Sequence, residues 1–367
     1  MDESVNLAAR VVWGGFGLAL VLGFVAARTN FCTMGAISDV VNMGHWGRVR
    51  MWLLAVAVAM AGANLLHYFD LIDLTKSVYQ RPVLPWLSML LGGTLFGIGM
   101  TIAGGCANKN LLRLGGGSAR SLVVLVFLAI SAYMTLKGLF GQWRSSYLDP
   151  VAFDFAGLGM QGQGLPELLA RLTGVPARSA LLATTGVVVI ALLIFVFKDK
   201  DFRASGEQVA GGTILGLLVT AGWYLTGHIG FAENPDTLEM AYFGTNSRTI
   251  ESLTFVAPTA YSLELLMLWT DKSLRVTFGI ATIGGVVLGS LIHAVTSRQF
   301  LWEGFASLAD LRNQLTGGIL MGFGGVLAMG CTIGQGLSGV STLALGSFIS
   351  VAGIVAGSVA TMKWQER

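Results

Sequence analysis

This sequence predicts an all-α polytopic membrane protein, and three observations carry the expectation. Only 12% of its 367 residues are charged while 54% are hydrophobic, against about 25% charged in a typical soluble domain. Apolar runs long enough to cross a bilayer recur from end to end, and the mean hydropathy is +0.69. One such run returns late in the chain with its glycines and a cysteine in register.

A helix needs roughly 17 to 25 apolar residues to cross about 30 Å of hydrocarbon. Runs of that length stand at 11–27, 51–69, 85–103, 119–140, 178–197, 207–226, 276–296, 315–330 and 342–361. About nine transmembrane helices are therefore expected, with broken or half-membrane helices between them. A tenth run, 254–270, holds Pro258, Glu264 and several hydroxyls and is not counted as a crossing. The first run has small residues near Ala26, as a cleaved leader would. Its head, MDESVNLAAR, carries two acids and one Arg where a signal peptide is net positive, so a retained helix is expected.

With nine crossings, the loops at 28–50, 104–120, 198–206 and 297–314 and the tail share one face and hold 13 basic residues. Nine more, counting Arg178 at the mouth of the fifth run, are spread over longer loops on the other face. The positive-inside rule then places the N-terminus outside and the C-terminus in the cytoplasm. The acidic loop 228–253 is expected to lie on the outer surface, as is 142–177, whose Pro150, Pro166 and Pro176 mark irregular structure.

The repeat sets 92–106, GGTLFGIGMTIAGGC, over 317–331, GGILMGFGGVLAMGC, with eight identities in fifteen positions. Nine crossings would run the two copies in opposite directions, the inverted-topology architecture of many transporters, whose sites lie at the midplane where helices break. The chain is thus expected to be one membrane domain over 1–367, with halves of about 1–140 and 207–367 joined by 141–206. Gly93, Gly97, Gly318 and Gly322 have the spacing of helix-packing glycines.

The runs after each repeat cysteine, LGGGS and TIGQGLSG, lack that spacing. Irregular backbone at membrane depth survives only where protein or a wet cavity satisfies it, and Gly-rich loops entering a helix offer N–H groups to anions. Lys109 and Arg113 add cations in the first copy; Thr332, Gln335, Ser338 and Ser341 add donors in the second. Cys32, in ARTNFCTMGAISD, also follows an apolar run and stands near a cation, Arg28 four residues before it, so all three cysteines stand at breaks. A small anion is the expected ligand.

Other classes find no support in the sequence. His45, His67, His228 and His293 are scattered without ligand spacing, and no basic or aromatic cluster suits nucleic acid. The GIG and GFG glycines lack a strand-to-helix context, and no ATP-binding signature is present. Three distant cysteines make no disulfide framework.

On NFCTMGAISD, GGTLFGIGMTIAGGCANKNLLRLGGGS and GGILMGFGGVLAMGCTIGQGLSGVSTLALGS, the sequence resembles the YeeE/YedE family of bacterial sulfur-compound transporters. The resemblance implies a multi-pass inner-membrane protein of hourglass shape, a transporter rather than an enzyme, without a cofactor. It implies a central path where cysteine-bearing loops meet and relay thiosulfate, the family cysteines falling on Cys32, Cys106 and Cys331. A cytoplasmic sulfur carrier of the TusA type is the protein partner it implies, beside membrane lipid. The expected transport site is those cysteines with Asn30, Gly105, Asn108, Lys109, Arg113, Gly330, Thr332, Gly334, Gln335, Gly336 and Ser338. Thiosulfate-type members tend to carry glycine where this chain has Lys109, so another sulfur or selenium oxyanion is an alternative cargo. A thiol or persulfide sulfur relay is the alternative activity.

Overall fold

The computed structural model describes residues 2–235, 237–305 and 307–366. The first half of the chain forms α1 (Asp2–Arg28), α2 (Thr33–Met43), α3 (Gly47–Tyr68), α4 (Trp86–Ile102), α5 (Ala107–Gly115), α6 (Ala119–Lys137), α7 (Leu139–Trp143), α8 (Leu165–Thr173) and α9 (Ala177–Phe197). The second forms α10 (Lys200–Ala204), α11 (Gly206–Tyr224), α12 (Val256–Met267), α13 (Phe278–Thr296), α14 (Leu308–Leu327) and α15 (Leu345–Gln365). Two short antiparallel strand pairs complete it: β1 (Val83–Leu84) with β2 (Phe153–Asp154), and β3 (Phe231–Glu233) with β4 (Met240–Tyr242). The protein is an all-α polytopic membrane protein.

Each expected run is a helix near its expected place. Among the described residues, eight stretches are long and apolar enough to cross a membrane, with α1–α2 and α4–α5 each counted once. The ninth expected run lies in α14, whose first turns carry Asp310, Arg312, Asn313 and Gln314 and dilute its hydropathy. The tenth run becomes α12, and its 12 residues span only about 18 Å at 1.5 Å per residue, too short to cross. α2, with 11 residues, is a half-length helix of the same kind.

The segment 228–253 departs from the expected surface loop. β3 and β4 make a surface hairpin, but Ile250, Ser252, Leu253 and Phe255 are buried. Ser252 Oγ donates to the Val219 carbonyl at 2.8 Å, and Ser338 Oγ donates to that of Leu253 at 2.7 Å. Four closely spaced hydrophobic and hydroxyl side chains draw this segment inward despite the acids around it.

The repeat glycines pack the helices that carry them. A Cβ on Gly92 would lie 2.7 Å from the Gly324 carbonyl oxygen, and one on Gly324 2.6 Å from that of Gly92. Gly99 and Gly317 repeat the relation at 2.8 and 2.7 Å. In the repeat Gly92 is matched with Gly317 and Gly99 with Gly324, so α4 and α14 cross antiparallel with equivalent positions exchanged. The remaining glycines point sideways: Gly93 and Gly97 admit the backbone of α15 at Ser350 and Ile354, while Gly318 and Gly322 admit that of α6 at Val124 and Leu128. Small residues let helix backbones approach this closely where lipid supplies no hydrophobic drive.

The same exchange runs through the fold: α1 packs on α13 and α11 on α3, α4 on α15 and α14 on α6. Helices from either side of the 141–206 connection are therefore interleaved. α9 stands at the edge, with Val187, Ile190 and Ile194 facing outward as apolar side chains do toward lipid.

Candidate functional site

The three helices that lead into a cysteine end in the same way, with a turn that also closes α3 and α13. After α1, α4 and α14 the chain enters the left-handed region at Asn30 (φ 51°), Gly104 (φ 67°) and Met329 (φ 57°). Each turn closes with paired backbone bonds: Phe31 N to Ala26 O at 3.0 Å with Asn30 N to Ala27 O at 3.4 Å, Gly105 N to Met100 O at 2.8 Å with Gly104 N to Thr101 O at 3.2 Å, and Gly330 N to Gly325 O at 2.8 Å with Met329 N to Val326 O at 3.0 Å. This is the Schellman ending, which satisfies the last carbonyls of a helix without water. Two residues after each left-handed position stands a cysteine: Cys32, Cys106 and Cys331.

All three thiols are free and buried. Cys32 is the N-cap of α2, its Sγ accepting from Gly35 N at 3.4 Å, and Cys331 Sγ accepts from Gly334 N at 3.3 Å. Cys106 takes the N-cap place before α5 without such a bond. A sulfur that accepts through a lone pair still has its S–H to donate. Cys106 interacts electrostatically with both other thiols and faces the Thr332 hydroxyl, so the breaks converge in space although up to 299 residues separate them in sequence.

Cations gather where Cys32 and Cys106 lie. Lys109 reaches from α5 across the first break, its Nζ donating to Asn30 Oδ1 at 2.6 Å. The Arg113 guanidinium lies beside the Gly104–Gly105 turn, and the Lys109 stem lies against Gly105. Neither cation has an acidic partner among the described residues. Arg48 is different: the buried Asp39 carboxylate holds it in a two-pronged ion pair. Asn108 Oδ1 is buried nearby with no hydrogen-bond partner.

The second copy is arranged differently from the expected open cradle. Gly334–Gly339 forms a single π turn. The N–H groups of Gly334, Gln335, Leu337 and Ser338 are engaged by the Cys331 sulfur and by the carbonyls of Cys331 and Ile333. Gln335 Nε2 donates to Ala328 O at 2.5 Å, and Ser338 Oγ is engaged by Leu253, so these side chains tie the break to its surroundings. Gly334 and Gly336 earn their place sterically, since a Cβ would overlap Thr254 or press on the Trp52 ring.

Beyond Cys331 opens a cavity of about 510 Å³, walled in part by Tyr79, Arg81, Glu251, Thr254, Tyr261 and Gly330. Tyr79 is buried edge-on to Trp223 with ring centroids 6.2 Å apart, and it is an electrostatic neighbour of both Cys331 and Glu251.

The family model for sulphur transport matches residues 28–360 of this chain. The chain belongs to that family. It is similar to the thiosulfate transporter TsuA of Escherichia coli strain K12, with 26% identity over 96% of this chain and 94% of the relative. It is also similar to the thiosulfate transporter TsuA of Spirochaeta thermophila, with 25% identity over 96% of this chain and 98% of that relative. This sulphur transport family member is an integral membrane transporter of sulfur compounds, not an enzyme.

The structure of this family member also adds residues that spacing did not reveal. Asn64 Nδ2 donates to Ser341 O at 2.8 Å, Gln80 Nε2 to Thr342 O at 2.6 Å and Trp223 Nε1 to Ser341 Oγ at 3.1 Å, all clamping the segment after the π turn. Tyr79 and Glu251 lie far from any cysteine in sequence. The one sequence signal for Glu251 is the cluster of hydroxyls around it, TIESLTF, at the start of the run not counted as a crossing.

Proposed function

We propose that this protein imports thiosulfate, or a closely related sulfur anion, across a bacterial inner membrane along a path lined by Cys32, Cys106 and Cys331. The observation that carries the reading is the convergence of three Schellman breaks, each delivering a buried thiol, beside two cations without acidic partners among the described residues. Thiosulfate has three hard oxygens that suit Lys109, Arg113 and the Thr332 hydroxyl, and one soft terminal sulfur that suits a weak S–H donor. The relatives named as thiosulfate transporters support that cargo.

In this reading the two halves, about 1–140 and 207–367, are an inverted repeat, supported by the antiparallel exchange of glycines between α4 and α14. The N-terminus is periplasmic and the C-terminus cytoplasmic, supported by the Lys and Arg asymmetry of the loops. Lys109 and Arg113 then flank the cytoplasmic mouth, where a sulfur carrier of the TusA type would take the cargo, while the cavity beyond Cys331 opens outward. The test is uptake of labelled thiosulfate, sulfite, sulfate and selenite into vesicles holding the purified protein. Thiosulfate should enter in preference to sulfate, which lacks the soft sulfur; equal uptake of the two would remove the thiols from the reading.

A further inference from the structure

The outer cavity contains a carboxyl that the transport reading leaves unused. Glu251 lines a space through which an anion would pass, yet it has no ion pair among the described residues. Its position is fixed. Thr226 Oγ1, two residues beyond α11, donates to the Glu251 carbonyl at 2.5 Å and accepts from its N–H at 3.1 Å, while Ser247 N donates to Glu251 Oε1 at 2.8 Å. A carboxyl held this way stays at the wall when the cavity fills.

The groups around it give little compensation. Its own segment brings Ser247 and Ser252; α12 brings Tyr261; the stretch after α3 brings Tyr79 and Arg81; the segment after α7 brings Arg144 and Asp149. Arg144 is engaged by Asp149 at 3.1 Å, which leaves Arg81 as the lining cation without an ion pair among the described residues. Tyr79 also neighbours Cys331, so the carboxyl stands at the last station before the thiols. A charged carboxylate there repels an incoming anion, and the repulsion is strengthened by poor solvation. The neutral acid removes the repulsion and supplies an O–H donor. Enclosure already favours that form, holding the Glu251 carboxyl above the ordinary carboxylate range.

We propose that Glu251 takes up a proton from the outer solution when an anion occupies the cavity and releases it when the anion has moved on, so that loading of the transporter is proton-linked. The linkage is reciprocal: the anion raises the proton affinity of Glu251 by the factor by which the proton raises the affinity for anion. The proposal rests on the transport reading and adds its coupling. Sign follows directly. Lowering pH fills the protonated form and favours loading; raising pH empties it.

The test measures thiosulfate uptake by vesicles with equal pH inside and out, from about pH 5 to about pH 8, a range over which the probe stays a dianion. For one linked proton the parent's apparent affinity should rise as pH falls, by up to about tenfold per pH unit. Glu251→Gln, neutral at every pH, should lose that slope, and Glu251→Asp should restore it. If Glu251→Gln fails to reach the membrane, Glu251→Ala serves as the neutral variant. A parent that transports without a pH slope overturns the proposal alone. So does a neutral variant that keeps the slope, or one that is folded yet inactive, because a neutral side chain is what loading requires. A parent that takes up no thiosulfate at any pH overturns the transport reading and this proposal with it.

Discussion

Lys109 Nζ donates to Asn30 Oδ1 at 2.6 Å, so the cation of one helix break is held by the left-handed residue of another. The contact places a charge between Cys32 and Cys106, with both of which Lys109 interacts electrostatically. It also explains the use of asparagine there: Asn tolerates positive φ better than most residues and carries an oxygen to receive the ammonium.

Removing that charge should weaken binding without unfolding the protein. Lys109→Met and Arg113→Met are expected to reduce thiosulfate uptake by roughly tenfold each, the scale of one lost charge-assisted hydrogen bond. Uptake is normalised to folded protein in the membrane. If both variants match the parent, the two cations only mark a membrane face.

The thiols make a sharper case. Cys106→Ser and Cys331→Ser keep size and hydrogen bonding but replace a soft sulfur by a hard oxygen, and both should fold yet transport poorly, with Ala no better. If the cysteines merely fill space, Cys331→Ser instead costs about 1 kcal/mol or more of stability through the buried hydroxyl, and the surviving protein transports normally. Normal uptake by both Ser variants would return the motif to its glycines.

Backbone conformation at the breaks can be probed at Gly104 and Met329. Gly104 has φ 67°, and the nearest atom to an added Cβ is an Arg113 nitrogen at 3.8 Å, so Gly104→Ala meets conformational strain and no clash. About 1 kcal/mol of stability should be lost, read as a lowered midpoint of thermal unfolding in detergent. Met329 already bears that strain at the equivalent place, and Met329→Gly should raise the midpoint. An unchanged midpoint in both would mean that the breaks are not held in the left-handed conformation.

Packing at the repeat interface is less forgiving. A Cβ on Gly97 would overlap the Ile354 carbonyl oxygen, which belongs to the backbone and cannot turn aside. Gly97→Val should therefore cost about 3 kcal/mol or more, seen as loss of monodisperse protein on size exclusion. Gly157, with open space around it, is the control that should tolerate the same change.

Topology is tested by a reporter fused after Arg367. A cytoplasmic signal is expected from the Lys and Arg bias. A periplasmic signal would reverse the two mouths of the path and assign the Glu251 cavity to the cytoplasm.

The sequence by itself determined the membrane class, the places of the long helices and the positions of the three breaks. Those properties are local or compositional: a run of apolar side chains partitions into lipid wherever it lies, and a Gly-Cys or Asn-Phe-Cys phrase ends a helix through its own backbone. The match of 92–106 with 317–331 could likewise be read directly, because both copies carry the same packing glycines. Only the tertiary structure decided what those glycines touch, that Gln335 and Ser338 secure the second break, and that Glu251 and Tyr79 stand beyond Cys331. The segment 250–255 is drawn inward by contacts with α11 and the π turn, partners 33 and 85 residues away, which no periodicity records. Side chains from distant breaks meet because interleaved helix pairs bring their ends to one place, and that meeting is a property of packing between helices that no single stretch contains.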